Sequence, residues 1–369
     1  MKKGIIRTVA TLVATVLFAL QCNCAPAHSA KSVILMDADT GTVLYQCCAD
    51  DRSLIASTTK IMTALVVLER CDLEAVFTVP QEAVGIEGSS IYLKAGEQIT
   101  IRSLLYGLML SSGNDAAIAL ALACCDSVPE FVDVMNLRAA QLGLINTHFK
   151  NPNGLDDQNH YSTAADLAKL TAYCLTKSEF VEIVSTKSIS IGNRCMQNHN
   201  KLLWSVEGCL GVKTGYTRAA GRILVSAAER NGRRLIAVTI SDRNDWQDHK
   251  TLYDYGFAQY NQVISIFEGT DAADITLLDG SDEVLVAGRT FCCYGLPGEQ
   301  LQVVLQHPKV FFQPGVPGNY AGFGAVYMGS RKIGEIPLRW KGEANEGENT
   351  ENTVIPRSDL PESGGEASS

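Results

Sequence analysis

The chain has 369 residues, 46% of them hydrophobic, with 31 basic against 40 acidic side chains and a formal charge of −9. That length allows one large domain and a smaller one with a sizeable core. The acidic balance excludes the basic footprint expected of a nucleic-acid binder.

In chain order, the first segment reads as a secretory signal. Lys2, Lys3 and Arg7 precede an apolar stretch from Val9 to Leu20, and Ala25-Pro26-Ala27 offers a small-x-small cleavage site. A signal over residues 1–27 is expected, with cleavage as late as residue 30 through Ser29-Ala30 as the near alternative. The apolar stretch falls short of the roughly 20 residues a membrane span needs, so cleavage and export are favoured over an uncleaved anchor. Cys22 and Cys24 lack the small residue that precedes a lipidated cysteine.

Of twelve cysteines, ten lie beyond this segment, and three adjacent pairs stand among them. Both a disulfide framework and free thiols fit an even count in an exported chain. Cys124 and Cys125 sit in an apolar helical run and read as small core residues, so free thiols are placed slightly ahead. No Cys-x-x-Cys spacing or histidine cluster suggests zinc, and no cofactor or metal is expected.

Residues 31 to about 50 read as two strands around the Asp39-Thr40-Gly41 turn. A mostly helical block follows from Ser57 to Thr176, with helical apolar spacing over Val128 to Leu142 and Thr163 to Leu175. Strands then run from Gly221 to Glu229 and from Arg233 to Ser241, joined at Arg230-Asn231-Gly232. A helix from Gln247 to Tyr260 closes this part. Strands flanking a helical block predict an α+β domain over 31–260, an antiparallel sheet covered by helices. From 262 to 341 short apolar runs such as Leu301-Gln302-Val303-Val304-Leu305 and Ala325-Val326-Tyr327-Met328 alternate with Gly and Pro turns, which predicts a small β-sandwich. Residues 342–369 carry seven acidic residues and one arginine, a composition that buries no core and predicts a disordered tail.

Three motifs carry the chemistry: Ser57-Thr58-Thr59-Lys60, Ser112-Gly113-Asn114 and Lys213-Thr214-Gly215. Each alone has a plain structural reading, as helix caps with a solvated lysine, a helix–helix turn and a strand start. Together, in this order, they read as a serine acyl-transfer site with a lysine base. Ser57 and Lys60 are three apart and share a helix face. A serine hydroxyl needs an adjacent base, and lysine serves only where burial or a second cation such as Lys213 lowers its pKa. Ser57 also stands where a helix begins, and a helix N-terminus offers free N–H groups to an oxyanion. Ser112 is a candidate to pass a proton to the leaving amine and Asn114 to hold the substrate amide. Lys213 and Thr214 suit a substrate carboxylate, and Gly215 leaves room for a close backbone approach.

These residues resemble the serine-type D-alanyl-D-alanine carboxypeptidases, the low-molecular-mass penicillin-binding proteins, over roughly residues 31 to 260. Val33 to Gly41, Asn151 to Asp156, His160 to Ala164, Gly211 to Thr217 and Asp254-Tyr255-Gly256-Phe257 add to the resemblance. It implies a β-lactamase/penicillin-binding-protein-like fold, with the smaller domain holding the catalytic one away from the membrane. It implies Ser57 as acylated nucleophile, Lys60 as base, Ser112 and Asn114 as relay and acyl-side contact, and Lys213 and Thr214 as carboxylate site. The backbone N–H groups of Ser57 and Tyr216 are the implied oxyanion hole. The implied partners are peptidoglycan stem peptides and β-lactams as covalent inhibitors, with an extracellular or cell-wall location. No Glu-x-x-Leu-Asn segment lies between the second and third motifs, which argues against an efficient β-lactamase. The amphipathic C-terminal membrane helix of many relatives has no counterpart in the acidic tail. A DD-endopeptidase on crosslinks and a weakly catalytic penicillin- or muropeptide-binding protein are the alternatives.

Overall fold

The computed structural model describes residues 25–341 apart from 261, 297–298, 308–310, 312–313 and 330. The expected signal, but for its last residues, and the expected acidic tail lie outside the described residues. Five strands form the central sheet: β1 (Ser32–Asp37), β2 (Val43–Cys47), β3 (Cys209–Thr217), β4 (Gly221–Arg230) and β5 (Arg233–Ile240). Their order is β2-β1-β5-β4-β3, and every neighbouring pair is antiparallel. The turn between β4 and β5 places Asn231 and Gly232 at φ 50° and 73°, the left-handed pair that a two-residue hairpin demands.

Alternation along these strands divides the core. Ile223, Val225, Ile236, Val238 and Ile240 face a helical layer. Leu224, Ala228, Leu235 and Ala237 face the terminal helix. The helical layer lies between β2 and β3 in sequence: α1 (Lys60–Arg70), α2 (Ile101–Met109), α3 (Asn114–Cys124), α4 (Val128–Gln141), α5 (Ala164–Cys174) and α6 (Ser178–Ser185). α1 is its axis and is buried from Lys60 to Val67. Ser127 and Thr163 cap α4 and α5 through their hydroxyls. On the other face, α7 (Asp245–Ala258) docks Leu252 and Tyr253 on the sheet. Gly256 lets it come close, since a Cβ there would stand 2.7 Å from Leu35 and Leu235.

A second, all-β region follows. β6 (Gln262–Ile266) pairs with β9 (Phe291–Gly295). β7 (Asp271–Thr276), β8 (Asp282–Ala287), β10 (Gln302–His307), β11 (Tyr320–Met328) and β12 (Arg331–Trp340) form a sheet of order β7-β8-β12-β11-β10. Ile266 and Phe291 from the ribbon join Leu285, Val326, Ile336 and Leu338 in one core. The α+β sheet with helices and the following β-rich unit agree with the expected fold class.

Three features differ from expectation. Two hairpins, Val76–Thr78 with Gln98–Thr100 and Ser188–Ile191 with Arg194–Gln197, interrupt or follow the helical block. Their strands have three or four residues, too short for a period-2 signal to stand out. Lys213 does not open its strand, which starts four residues earlier at Cys209. Cys71 and Cys124 form a disulfide that ties the end of α1 to the end of α3, a correction to the reading of Cys124 as a free core thiol. Their Cα atoms lie 6.2 Å apart across 53 residues of sequence, a closeness only the packing of α1 on α3 produces. Among the described residues no helix is long and apolar enough to cross a membrane.

Candidate active site

Ser57 sits in a single 3-10 turn, Ala56–Thr59, that runs directly into α1. Ala56 takes the left-handed region at φ 45°. The turn is buttressed from below by Gly154, at φ 89°, where a Cβ would lie 1.9 Å from the Ala56 carbonyl oxygen. Only glycine allows that approach. Thr59 locks the turn by donating to the Ala56 carbonyl at 2.8 Å. The Lys150 N–H donates to His160 Nδ1 at 3.2 Å, so Nε2 carries the proton and donates to Thr59 Oγ1 at 2.7 Å. Burial brings His160 down to about 4, so it stays neutral.

Lys60 is fully buried, and its Nζ donates to three oxygens: Ser57 Oγ at 2.9 Å, Asn114 Oδ1 at 2.7 Å and the Asn153 carbonyl at 2.6 Å. Burial, reinforced by the Lys213 ammonium and opposed by Asp115, holds Lys60 well below the usual lysine range. A neutral amine at this place keeps two N–H groups for Asn114 and Asn153. Its lone pair then faces the Ser57 hydroxyl.

Ser112 is at φ 59°, a left-handed turn residue that breaks α2 from α3, and Asn114 is the first residue of α3. The Asn114 side chain is engaged at both ends, by Lys60 at Oδ1 and by the Glu87 carbonyl, which accepts from Nδ2 at 2.5 Å. Its first job in this structure is therefore to orient Lys60. Asp115 holds the adjoining loop by accepting from Ser90 Oγ at 2.6 Å, Ile91 N at 3.0 Å and Leu93 N at 3.1 Å.

Lys213, Thr214, Gly215 and Tyr216 lie on β3, the sheet edge that abuts the Ser57 turn. Lys213 is buried, donates to the Thr214 carbonyl at 3.0 Å, and is brought down to about 7 by burial. A Cβ on Gly215 would come 3.2 Å from the Ile55 carbonyl oxygen and 3.3 Å from Thr58 N. What Gly215 makes room for here is the turn itself. Ser57, Ser112, Thr214 and Tyr216 line a cleft of about 300 Å³, with Arg222 and Trp246 on its further wall. Lys60 and Lys213 stand behind that surface, out of water.

The structure thus brings together residues from three distant motifs. It adds Asn153, Gly154, Asp115 and His160, to which sequence reasoning gave no role. The segments holding Asn153, Gly154 and His160 were visible as part of the resemblance, but nothing local marks them as supports of Ser57 and Lys60.

Comparison with known proteins accords with this geometry. Residues 20–244 match the model of the peptidase family described as D-alanyl-D-alanine carboxypeptidase. The D-alanyl-D-alanine carboxypeptidase DacF of Bacillus subtilis is 38% identical over 249 residues, which cover 63% of this chain and 64% of that protein. The D-alanyl-D-alanine carboxypeptidase of Streptomyces sp. strain K15 is 37% identical over 63% of this chain and 89% of its own length. Among solved structures, penicillin-binding protein 5 from Haemophilus influenzae superposes with a TM-score of 0.64 at 28% identity, covering 87% of this chain and 98% of that one. The Streptomyces K15 DD-transpeptidase superposes at 0.61 with 36% identity over 64% of this chain. The protein is a serine peptidase of the penicillin-binding type. It belongs to the D-alanyl-D-alanine carboxypeptidase family.

Proposed function

We propose that this chain is a D-alanyl-D-alanine carboxypeptidase that removes the terminal D-alanine from peptidoglycan stem pentapeptides and is inactivated by β-lactams. One observation carries the reading: a buried Lys60 amine, held below its ordinary pKa, lies 2.9 Å from the Ser57 hydroxyl. Lys60 takes the Ser57 proton as Oγ attacks the carbonyl of the penultimate D-alanine. The backbone N–H groups of Ser57 and Tyr216 receive the oxyanion, each such donor being worth about 10²–10³ in rate. The C–N bond breaks, and the proton passes by way of Ser112 to the departing D-alanine amine. Lys213 and Thr214 hold that residue's carboxylate. Water then enters the emptied site, gives a proton to Lys60 and attacks the acyl carbonyl; the C–Oγ bond to Ser57 breaks, Lys60 returns the proton to Oγ, and the tetrapeptide leaves. Among the described residues no glutamate lines the cleft to activate water against a penicilloyl ester, so a penicillin stays on Ser57.

Residues 1–27 serve as an export signal in this proposal, 31–260 as the catalytic unit, 262–341 as a β-sandwich spacer and 342–369 as an acidic tail. Labelling with a fluorescent penicillin tests the core of it. Ser57→Ala is expected to lose all covalent label while keeping a native circular-dichroism spectrum; label on the variant would sink the assignment of Ser57.

A further inference from the structure

The cleft has a second wall that the acyl-transfer residues leave unused. Arg222 on β4 stands directly across from Tyr216 on β3, so the two side chains leave the same face of the sheet. The Arg222 guanidinium donates through Nε at 3.1 Å and Nη2 at 2.6 Å to the two carboxylate oxygens of Asp245. It also lies 5.6 Å from the centre of the Trp246 ring. Asp245 and Trp246 open α7. The Asp245 side chain is 4% exposed, whereas that of Arg222 is 44% exposed. All three line the same cleft as Ser57 and Thr214. Among the described residues none accepts a hydrogen bond from Nη1 of Arg222. A planar cation is therefore pinned along one edge and open along another. That is the arrangement that favours a carboxylate, because the fork is already ordered before the ligand arrives.

The substrate's direction follows from the proposed carboxypeptidase reading, on which this inference rests. With the terminal carboxylate at Lys213 and Thr214 and the reacting carbonyl at Ser57 and Tyr216, the acyl portion runs on past Tyr216, away from Lys213. The next side chain it carries belongs to the third residue of the stem peptide, and Arg222 stands beside Tyr216. We infer that Arg222, held by Asp245 and Trp246, reads that third side chain and selects one ending in a free carboxylate over one ending in an amine alone. Arg222 is a specificity residue in this account and takes no part in the chemical steps.

A charge-assisted hydrogen bond from a part-exposed cation supports a preference of about tenfold. The test compares kcat/KM of the purified mature protein on three pentapeptides that differ only at the third residue: a diamino diacid with its distal carboxyl free, the same residue amidated at that carboxyl, and lysine. The expected result is about tenfold faster turnover of the free acid than of the other two, expressed mainly in KM. In Arg222→Gln the three rates converge. Equal rates in the wild-type protein would overturn the inference without any variant, and so would an Arg222→Gln protein that keeps the preference. Release of D-alanine from none of the three would contradict the carboxypeptidase reading and remove the ground of this inference with it, while penicillin labelling reports separately on Ser57.

Discussion

Two buried lysines face the same cleft from behind, and their charges oppose each other. Lys60 is fully buried and is pushed down by burial and by Lys213, whereas Lys213 is pushed down to about 7 by burial alone. At neutral pH the empty site therefore holds less than its full positive charge, and a substrate carboxylate restores the proton on Lys213. The sign follows: carboxylate binding takes up a proton above pH 7 and weakens as pH rises further, because the ammonium then costs more to form. Calorimetry of a D-alanine-terminated product in two buffers of different ionisation heat at pH 8 is expected to show that uptake, and Lys213→Ala to abolish it. The same variant is expected to lose far more turnover on free-carboxylate substrates than on neutral esters; equal losses would contradict the carboxylate role. At this scale the sequence was most informative where spacing is short. Ser57 and Lys60 share one turn, so their pairing is readable from the chain. Asn153 and Gly154 reach the same point from over 90 residues away, and no local pattern announces that.

Elements decide how rigidly these side chains are held. The Ser57 turn is pinned between Gly154 below, Gly215 beside it and the Thr59–His160 pair behind. His160 reports on this directly. Its ordinary value of 6.5 falls to about 4 in the fold through burial, so the unfolded chain binds the proton first. The stability contributed by neutral His160 is complete above pH 6.5 and is lost as pH falls from there towards 4, by up to about 3 kcal/mol. Urea titrations across this window are expected to show that slope, and His160→Asn to flatten it; an unchanged slope would place the acid sensitivity elsewhere, with buried His249 as the next group. Cys71 and Cys124 clamp α1 to α3, the two helices that present Lys60 and Asn114. In the chain-entropy account a loop of this length supports roughly 4 kcal/mol. Intact-mass analysis of the oxidised protein is expected to find one disulfide, and Cys124→Ala to lower the midpoint of unfolding. The helices α4 and α5 were legible within two residues, since long amphipathic runs with hydroxyl caps declare themselves. The short hairpins were not, because strands of three or four residues carry too few alternations to stand out; nor was the strand Phe291–Gly295, which its pairing with Gln262–Ile266 makes a strand, not its own pattern.

Across the whole molecule, the site lies at the seam between the edge strand β3 and the helical layer, and the two sheet faces separate its duties. One face carries the buried lysine side behind the cleft. The other carries Tyr216 and Arg222 towards α7. The β-rich region is tied to the α+β region by Arg233, which pairs with Glu299 and lies 3.7 Å from the buried Asp37. Asp37 also accepts from Tyr260, and the Gly329 turn packs against Asp39. These contacts hold the second region against the Asp39-Thr40-Gly41 turn. The order of the three motifs was enough to place the chain among acyl-transferring serine enzymes, while the cleft's further wall emerged only from the packing of α7 on the sheet. The central claim is that Ser57, activated by Lys60, cleaves a D-alanyl-D-alanine bond. Mass spectrometry of the purified mature protein, incubated with a pentapeptide ending in D-Ala-D-Ala and then with penicillin, tests it most directly. Release of one D-alanine per peptide, followed by one penicillin mass on the Ser57 peptide, is the result expected. Absence of both release and adduct would contradict the account, and a stable adduct without release would move the activity towards crosslink cleavage or binding.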